Sequence, residues 1–106
     1  MIAVNDLSLD ASSRTVVRGE QRIRLTPLEF RLFACLVARA GEVVSREELT
    51  RELMGTEEEP RSNLIDVYVG YLRKKLGNYA VITTKRGRGY AIRTDDVGAG
   101  APESAG

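Results

Sequence analysis

The chain has no histidine and a single cysteine, Cys35. Zinc sites made of cysteine and histidine need several such ligands, and a histidine-based triad or acid–base pair needs its imidazole, so both are excluded. An internal disulfide is excluded too, and one thiol suits a reducing cytoplasm. Chemistry by carboxylates or lysines alone stays open. No arrangement of residues points to it, however, so we predict neither an enzyme nor a metal or other cofactor.

Long apolar segments and phosphate-binding loops are also missing. No apolar run approaches the ~20 residues that a membrane span needs, no signal-peptide pattern opens the chain, and no G-x-x-x-x-G-K-[ST] loop occurs. The 106 residues are 42% hydrophobic and 29% charged, as in an ordinary globular domain with one modest core. We expect one domain over residues 1–94, a disordered acidic tail over residues 95–106, and no membrane partner.

Charge is unevenly distributed, although the total is only +1. Residues 61–94 hold eight basic groups and one acidic group, a balance of +7, whereas residues 26–60 have a balance of −4. So basic a segment indicates a surface for the phosphates of a nucleic acid. A solvated charged surface is the alternative, and for a single lysine pair it would be the better explanation.

The residue pattern predicts short strands and then a pair of capped helices. Across residues 2–25, apolar positions alternate with polar and turn-forming ones, which is typical of a small antiparallel sheet. Residues 26–29, Thr-Pro-Leu-Glu, form a capping box, and the apolar stripe behind it predicts a helix that Gly41 stops. A second box at residues 45–48, Ser-Arg-Glu-Glu, opens a short helix that ends near Gly55.

A third helix and a cationic hairpin complete the pattern. Apolar residues at i, i+4, i+7 and i+11 from Ile65 predict a helix from about residue 62 to residue 76 with one face in the core. The opposite face carries Asn63, Val67, Gly70 and Lys74. Residues 81–93 are typical of a strand, a glycine-rich turn with three cations, and a returning strand.

In five segments the sequence resembles the C-terminal effector domain of OmpR/PhoB-type response regulators. They are Leu-Thr-Pro-Leu-Glu-Phe-Arg-Leu from residue 25, Val-Val-Ser-Arg-Glu-Glu-Leu from 43, Ile-Asp-Val-Tyr-Val from 65, Leu-Arg-Lys-Lys-Leu from 72 and Thr-Lys-Arg-Gly-Arg-Gly-Tyr from 84. The resemblance spans residues 2–93. It implies an α+β fold: a winged helix-turn-helix with an N-terminal antiparallel four-stranded sheet, three helices and a C-terminal β-hairpin wing.

The resemblance also implies a function, namely sequence-specific binding of double-stranded DNA by a bacterial, cytoplasmic transcription regulator of a two-component system. The third helix would enter the major groove, and the wing would contact the backbone and an adjacent minor groove. Family members contact RNA polymerase at the position of the acidic loop, here Glu57, Glu58 and Glu59. They also bind direct repeats in tandem, which implies a homodimer on DNA.

Two features of the family do not carry over directly. A sensor histidine kinase would act only through a receiver domain, for which this chain has no room, and the sequence leaves open a fragment or a stand-alone, receiver-free regulator. Many family members carry arginine where this chain has Asn63, Gly70 and Tyr71. The target sequence can therefore not be copied from a relative.

The expected DNA contacts fall into two groups. Cations that release counterions from phosphates should make binding fall with salt, and the candidates are Arg61, Arg73, Lys74, Lys85 and Arg86. Base discrimination is expected from Asn63, Val67 and Tyr71, because asparagine pairs bidentately with adenine and valine packs on a thymine methyl group. Arg88 is the candidate for a narrow minor groove.

Five further residues carry weaker expectations. Gly70 costs about 1 kcal/mol in a helix interior, which either close approach to DNA or a local packing need would explain. Tyr68 suits the core or DNA equally, Lys75 is expected in solvent, and Tyr90 is expected to anchor the wing. Asp66 is expected to orient a neighbouring arginine, because a lone carboxylate is disfavoured beside DNA.

One alternative function belongs to another class. A winged-helix protein-interaction module would explain the acidic loop but would leave the cationic wing without a purpose. A salt-dependent shift on duplex DNA separates the two functions.

Overall fold

A computed structural model of the chain describes residues 2–4, 7–55, 63–77 and 82–93. The helices and strands follow in the order β1 (Ile2–Val4), β2 (Leu7–Asp10), β3 (Thr15–Arg18), β4 (Gln21–Arg24), α1 (Pro27–Ala38), α2 (Arg46–Met54), α3 (Leu64–Leu76), β5 (Ile82–Lys85) and β6 (Gly89–Ile92). The predicted α+β arrangement of sheet, three helices and two-stranded hairpin is confirmed.

Strands β1 to β4 pair as antiparallel neighbours in chain order. Leu9 lies opposite Val16, and Val16 lies opposite Ile23, so one row of apolar side chains crosses the sheet. This row belongs to the same core as the helices, which is why the alternation of apolar and polar residues is so regular here.

Both predicted capping boxes are confirmed. The hydroxyl of Thr26 accepts from the Glu29 amide at 3.3 Å, and the Glu29 carboxylate accepts from the Thr26 amide at 2.9 Å. Ser45 and Glu48 repeat the arrangement, with both distances 3.1 Å. Because these bonds satisfy amides that a helix end leaves without partners, they define where α1 and α2 begin.

The predicted end of α1 at Gly41 is wrong. The helix ends at Ala38, because the amides of Arg39 and Ala40 turn back to the carbonyls of Leu36 and Val37, at 3.2 and 3.1 Å, in a tightened last turn. Gly41, with φ +88°, has another role: its amide donates to the carbonyl of Ile92 at 3.0 Å and so ties the end of the helix region to β6.

The core lies between the sheet and the helices, and α3 contributes the predicted stripe to it. The side chains of this stripe are at most 1% exposed, and they are Ile65, Val69, Leu72 and Leu76. The helix begins at Leu64 and its cap is Gly77, close to the predicted bounds. With one face buried, the position of the opposite face is fixed.

The base of the β5–β6 hairpin is tied to the segment between α1 and α2. Val44 and Tyr90 exchange two backbone hydrogen bonds, of 2.8 and 3.0 Å, as an isolated bridge. Gly89 has φ +143°, and an added Cβ would lie 2.1 Å from the carbonyl oxygen of Val44. Only glycine lets the two backbones approach this closely.

Several predictions fall outside the described residues. They concern Arg61, the proposed polymerase contacts Glu57, Glu58 and Glu59, and the tail over residues 95–106. Among the helices that the structure does describe, none has the length and apolar character to cross a membrane.

Candidate nucleic-acid interface

The exposed face of α3 is apolar at its centre. Val67 is 39% exposed and Tyr71 is 49% exposed, and Gly70 is exposed as well. Together with Asp66, Arg73 and Lys74, these residues line a shallow, open depression. Exposed apolar side chains that lie together on one helix face are typical of a surface that contacts a partner.

No packing contact among the described residues requires a glycine at position 70. A Cβ built at this position meets no atom within 4 Å, and its backbone lies outside the left-handed region that favours glycine. Of the two explanations that the sequence leaves open, a local packing need therefore has no support among the described residues. The helix carries a glycine that destabilises it by about 1 kcal/mol relative to alanine, and the space above that glycine is open.

Tyr71 is held by a neighbouring ring. The rings of Tyr68 and Tyr71 meet edge to face, with centroids 5.5 Å apart and planes at 90°. Tyr68 is half-buried and packs against the core, so its ring restricts where the ring of Tyr71 can go. Tyr68 therefore packs against the core on one side and contacts an exposed ring on the other.

Asn63 lies at the start of α3 rather than on its face. It is the residue before the first turn, with φ 52° and ψ 51°, and its side chain makes no capping hydrogen bond. Asparagine tolerates this left-handed conformation better than most residues. Its exposed amide is thus not engaged by the helix end that it precedes.

The turn of the hairpin presents three cations to solvent. Lys85, Arg86 and Arg88 are all exposed, and these three residues are named the wing turn. The turn is closed by a 2.8 Å hydrogen bond from the Arg88 amide to the Lys85 carbonyl, and Gly87 takes φ +71°. The charges of the wing turn can approach phosphates without breaking an ion pair in the described part of the chain.

Arg73, a predicted phosphate contact, is already bonded within the protein. One nitrogen of its guanidinium donates to the carbonyl of Ile82 at 2.8 Å and to the hydroxyl of Thr84 at 2.9 Å. The guanidinium carbon also lies 5.8 Å from the centre of the Tyr90 ring. Arg73 thus joins α3 to β5, and the depression on α3 borders the hairpin.

Asp66 joins three parts of the fold. Its carboxylate accepts a 2.9 Å hydrogen bond from Arg46 at the start of α2, and it accepts the hydroxyl of Tyr90 on β6. The Arg46 guanidinium lies 5.2 Å from the centre of the Tyr90 ring. Burial and the hydrogen bond to Asp66 raise the pKa of the Tyr90 hydroxyl, which therefore stays protonated as the donor.

These contacts bear out two expectations from the sequence and complete them. Asp66 does orient an arginine, and Tyr90, 4% exposed, does anchor the wing. The sequence did not identify Arg46 as the partner, because 20 residues separate it from Asp66 and no local spacing pairs them. The Arg-Glu-Glu sequence at the start of α2 was explained by its capping box. That explanation gave no role to Arg46.

The expectation that Lys75 lies in solvent is correct only in part, because the side chain is 40% exposed but its ammonium is paired within the protein. Its ammonium donates to the carboxylate of Glu29 at 2.7 Å, and the side chain of Glu29 is only 4% exposed. Burial acts to raise the pKa of this carboxyl, but Lys75 and the Thr26 amide outweigh burial and hold the pKa below its ordinary value. Lys75 therefore compensates a buried charge, and a contact of its ammonium with DNA would compete with this ion pair.

Metal chemistry gains no support from this surface. In the part of the chain that the structure describes, no three histidine, cysteine, aspartate or glutamate side chains come close enough to share an ion. What the surface offers is an exposed helix face, a cationic wing turn, and side chains that fix one relative to the other. These features define the winged helix-turn-helix class of domain.

Comparison with known proteins assigns the family. Residues 19–92 match the family described as "Transcriptional regulatory protein, C terminal". The response regulator MprA of Mycobacterium ulcerans (strain Agy99) is 42% identical over an alignment of 92 residues that covers 84% of this chain. MprA of Mycobacterium tuberculosis (strain H37Rv) is 41% identical over the same length. This chain spans 40% of the length of each relative.

Solved structures agree with that assignment. The DNA-binding domain of CpxR from E. coli superposes with a TM-score of 0.78 at 33% identity, covering 88% of this chain and 95% of that one. The RstA DNA-binding domain of Klebsiella pneumoniae, in complex with the RstA box, gives 0.78 at 29% identity, with 88% and 96% covered. The chain belongs to the family of C-terminal domains of transcriptional regulatory proteins, as an effector domain of the OmpR/PhoB response-regulator type.

Proposed function

We propose that this domain binds double-stranded DNA sequence-specifically, with α3 in the major groove and the wing turn on the adjacent backbone. The observation that carries the proposal is the exposed face of α3 bordered by a hairpin that presents Lys85, Arg86 and Arg88. An α-helix fits the major groove, and cations beside it neutralise phosphates. The RstA domain, which shares the fold, is bound to its DNA box.

The proposed contacts differ in what they supply. Lys74 and the wing turn provide affinity through counterion release, and Arg61 does the same by its position in the sequence. Asn63, Val67 and Tyr71 face the base edges, with Gly70 between the latter two. Arg88 enters a narrow minor groove beside the site. Arg73 contributes by holding the wing against α3.

The wider role is part of the same proposal. The curated relatives are response regulators, so we infer that this domain regulates transcription in a bacterial cytoplasm, with a receiver domain linking it to a sensor histidine kinase. Tandem binding of two copies to direct repeats, and a contact of Glu57, Glu58 and Glu59 with RNA polymerase, follow from the resemblance to the family. None of these partners is needed for the DNA contacts of α3 and the wing turn.

Selection from a random duplex library, followed by binding measurements at two salt concentrations, tests this function. We expect one enriched motif, in two copies about 10 base pairs apart if the domain binds in tandem, and an affinity that falls steeply with salt. Salt-sensitive binding without enrichment would contradict sequence specificity. Absence of binding at low salt would contradict DNA binding altogether and favour a protein-interaction module.

A further inference from the structure

Gly70 is the most unusual residue on the exposed face of α3. Glycine destabilises the interior of a helix, and here neither the backbone conformation nor a neighbouring atom requires it. The missing side chain leaves open space above the backbone, in the depression that Val67 and Tyr71 line together with Asp66, Arg73 and Lys74. We name residues 67, 70 and 71 the notch.

The chemistry of the notch is apolar. Guanine is usually read by arginine or lysine, whereas a thymine presents a methyl group in the major groove. The notch offers valine methyl groups, an aromatic ring and an exposed backbone, and the neighbouring Arg73 is bonded to Ile82 and Thr84. Asp66, which lines the same depression, is likewise bonded to Arg46 and Tyr90, and the remaining charged residue of the lining, Lys74, is assigned above to the phosphates.

We infer that the notch receives the 5-methyl group of a thymine, so that an A·T base pair lies at the centre of the α3 footprint. The inference rests on the proposed function and adds a base class to it. Without a side chain at position 70 the base edge can approach the helix backbone, while Val67 and Tyr71 contact the methyl group from its two sides. Tyr68 supports this arrangement by holding the ring of Tyr71.

Gly70→Ala tests the inference without endangering the fold. The added methyl group meets no protein atom within 4 Å and favours the helix, so the melting temperature should stay the same or rise. On the selected motif the variant should bind at least about tenfold more weakly, which corresponds to the loss of one good base contact. Its affinity for random duplex DNA at low salt should be unchanged.

Thymine-to-uracil replacement in the DNA provides the matched measurement, because it removes only the methyl group. At the central thymine it should weaken binding of the unaltered protein about fourfold, the value for one buried methyl group, and it should have no effect on Gly70→Ala. Replacement of a thymine outside the α3 footprint serves as the control and should have no effect on either protein.

The outcomes separate the two proposals. Specific, salt-dependent binding that is insensitive to both uracil and Gly70→Ala overturns the thymine site and leaves the proposed function standing. A selected motif with guanine at the centre of the footprint does the same. Absence of DNA binding by the unaltered domain overturns both, and it would point to a protein partner for the apolar face.

Discussion

Two of the three cations of α3 serve a different purpose from the cations of the wing turn, although the sequence presents them all as one basic segment. Arg73 and Lys75 on α3 are bonded to partners within the protein. Lys85, Arg86 and Arg88 are exposed, with no ion pair in the described part of the chain. The count of charges therefore overstates the number of phosphate contacts, because part of it stabilises the fold that presents the rest.

The largest expected effect concerns the hairpin that presents the exposed cations, and it is tested at its two glycines, Gly89 and Gly87. Gly89→Ala places a methyl group 2.1 Å from the carbonyl oxygen of Val44, between two backbones that cannot give way. We expect a loss of about 3 kcal/mol in the free energy of unfolding, measured by urea denaturation. Gly87→Ala is the matched control: its added methyl group meets nothing within 4 Å, and only its φ of +71° costs stability, about 1 kcal/mol. Equal losses would show that the base of the hairpin is not tightly packed.

A smaller effect separates the two kinds of cation directly. Arg73→Ala removes two hydrogen bonds to β5 and should lower stability by about 1.5 kcal/mol, while the salt dependence of DNA binding keeps its slope. Arg86→Ala should leave stability unchanged and make the slope of log K against log salt less steep by about 0.9, which corresponds to one phosphate contact. A less steep slope of log K against log salt for Arg73→Ala would contradict the distinction between cations that stabilise the fold and cations that contact phosphates.

The smallest effect depends on pH. Since the folded-state pKa of Glu29 lies below its ordinary value of 4.5, its ion pair with Lys75 stabilises the protein above that pH and ceases to do so as pH falls through the folded pKa. Lys75→Met should therefore cost less than ~1 kcal/mol at neutral pH, because Lys75 is partly exposed, and the difference from the unaltered protein should vanish in acid. Lys74→Met, which removes a neighbouring charge without touching that ion pair, should show no such pH dependence. A difference that grows in acid would contradict the pairing.

The elements that the sequence predicted are those that local spacing determines. Capping boxes connect residues three apart, and the buried stripe of α3 repeats every three or four residues, so both are visible in a linear chain. What the sequence did not show are contacts between distant segments: Lys75 lies 46 residues from Glu29, and Val44 bridges to Tyr90. Such partners depend on how the elements pack, which no local pattern encodes.

The candidate DNA contacts were predicted in two groups, and the structure separates those that are exposed from Arg73, which is already bonded within the protein. Exposure of Val67, Tyr71 and the wing turn follows from which face of each element is buried, which the pattern supplied. The hydrogen bonds of Arg73 could not be predicted from the pattern, because its partners lie on β5, whose position depends on tertiary packing. The empty space above Gly70 likewise required the surrounding backbone to be known.

The contacts of Asp66 with Arg46 and Tyr90 also bear on the entropy of binding. They connect α3, α2 and β6, so the helix and the hairpin hold one relative position before any partner arrives. A protein with a hinge between these parts would lose that freedom on binding and would bind more weakly for the same contacts. In this domain, folding has already restricted the relative motion of α3 and the hairpin, so both are preorganised for a partner.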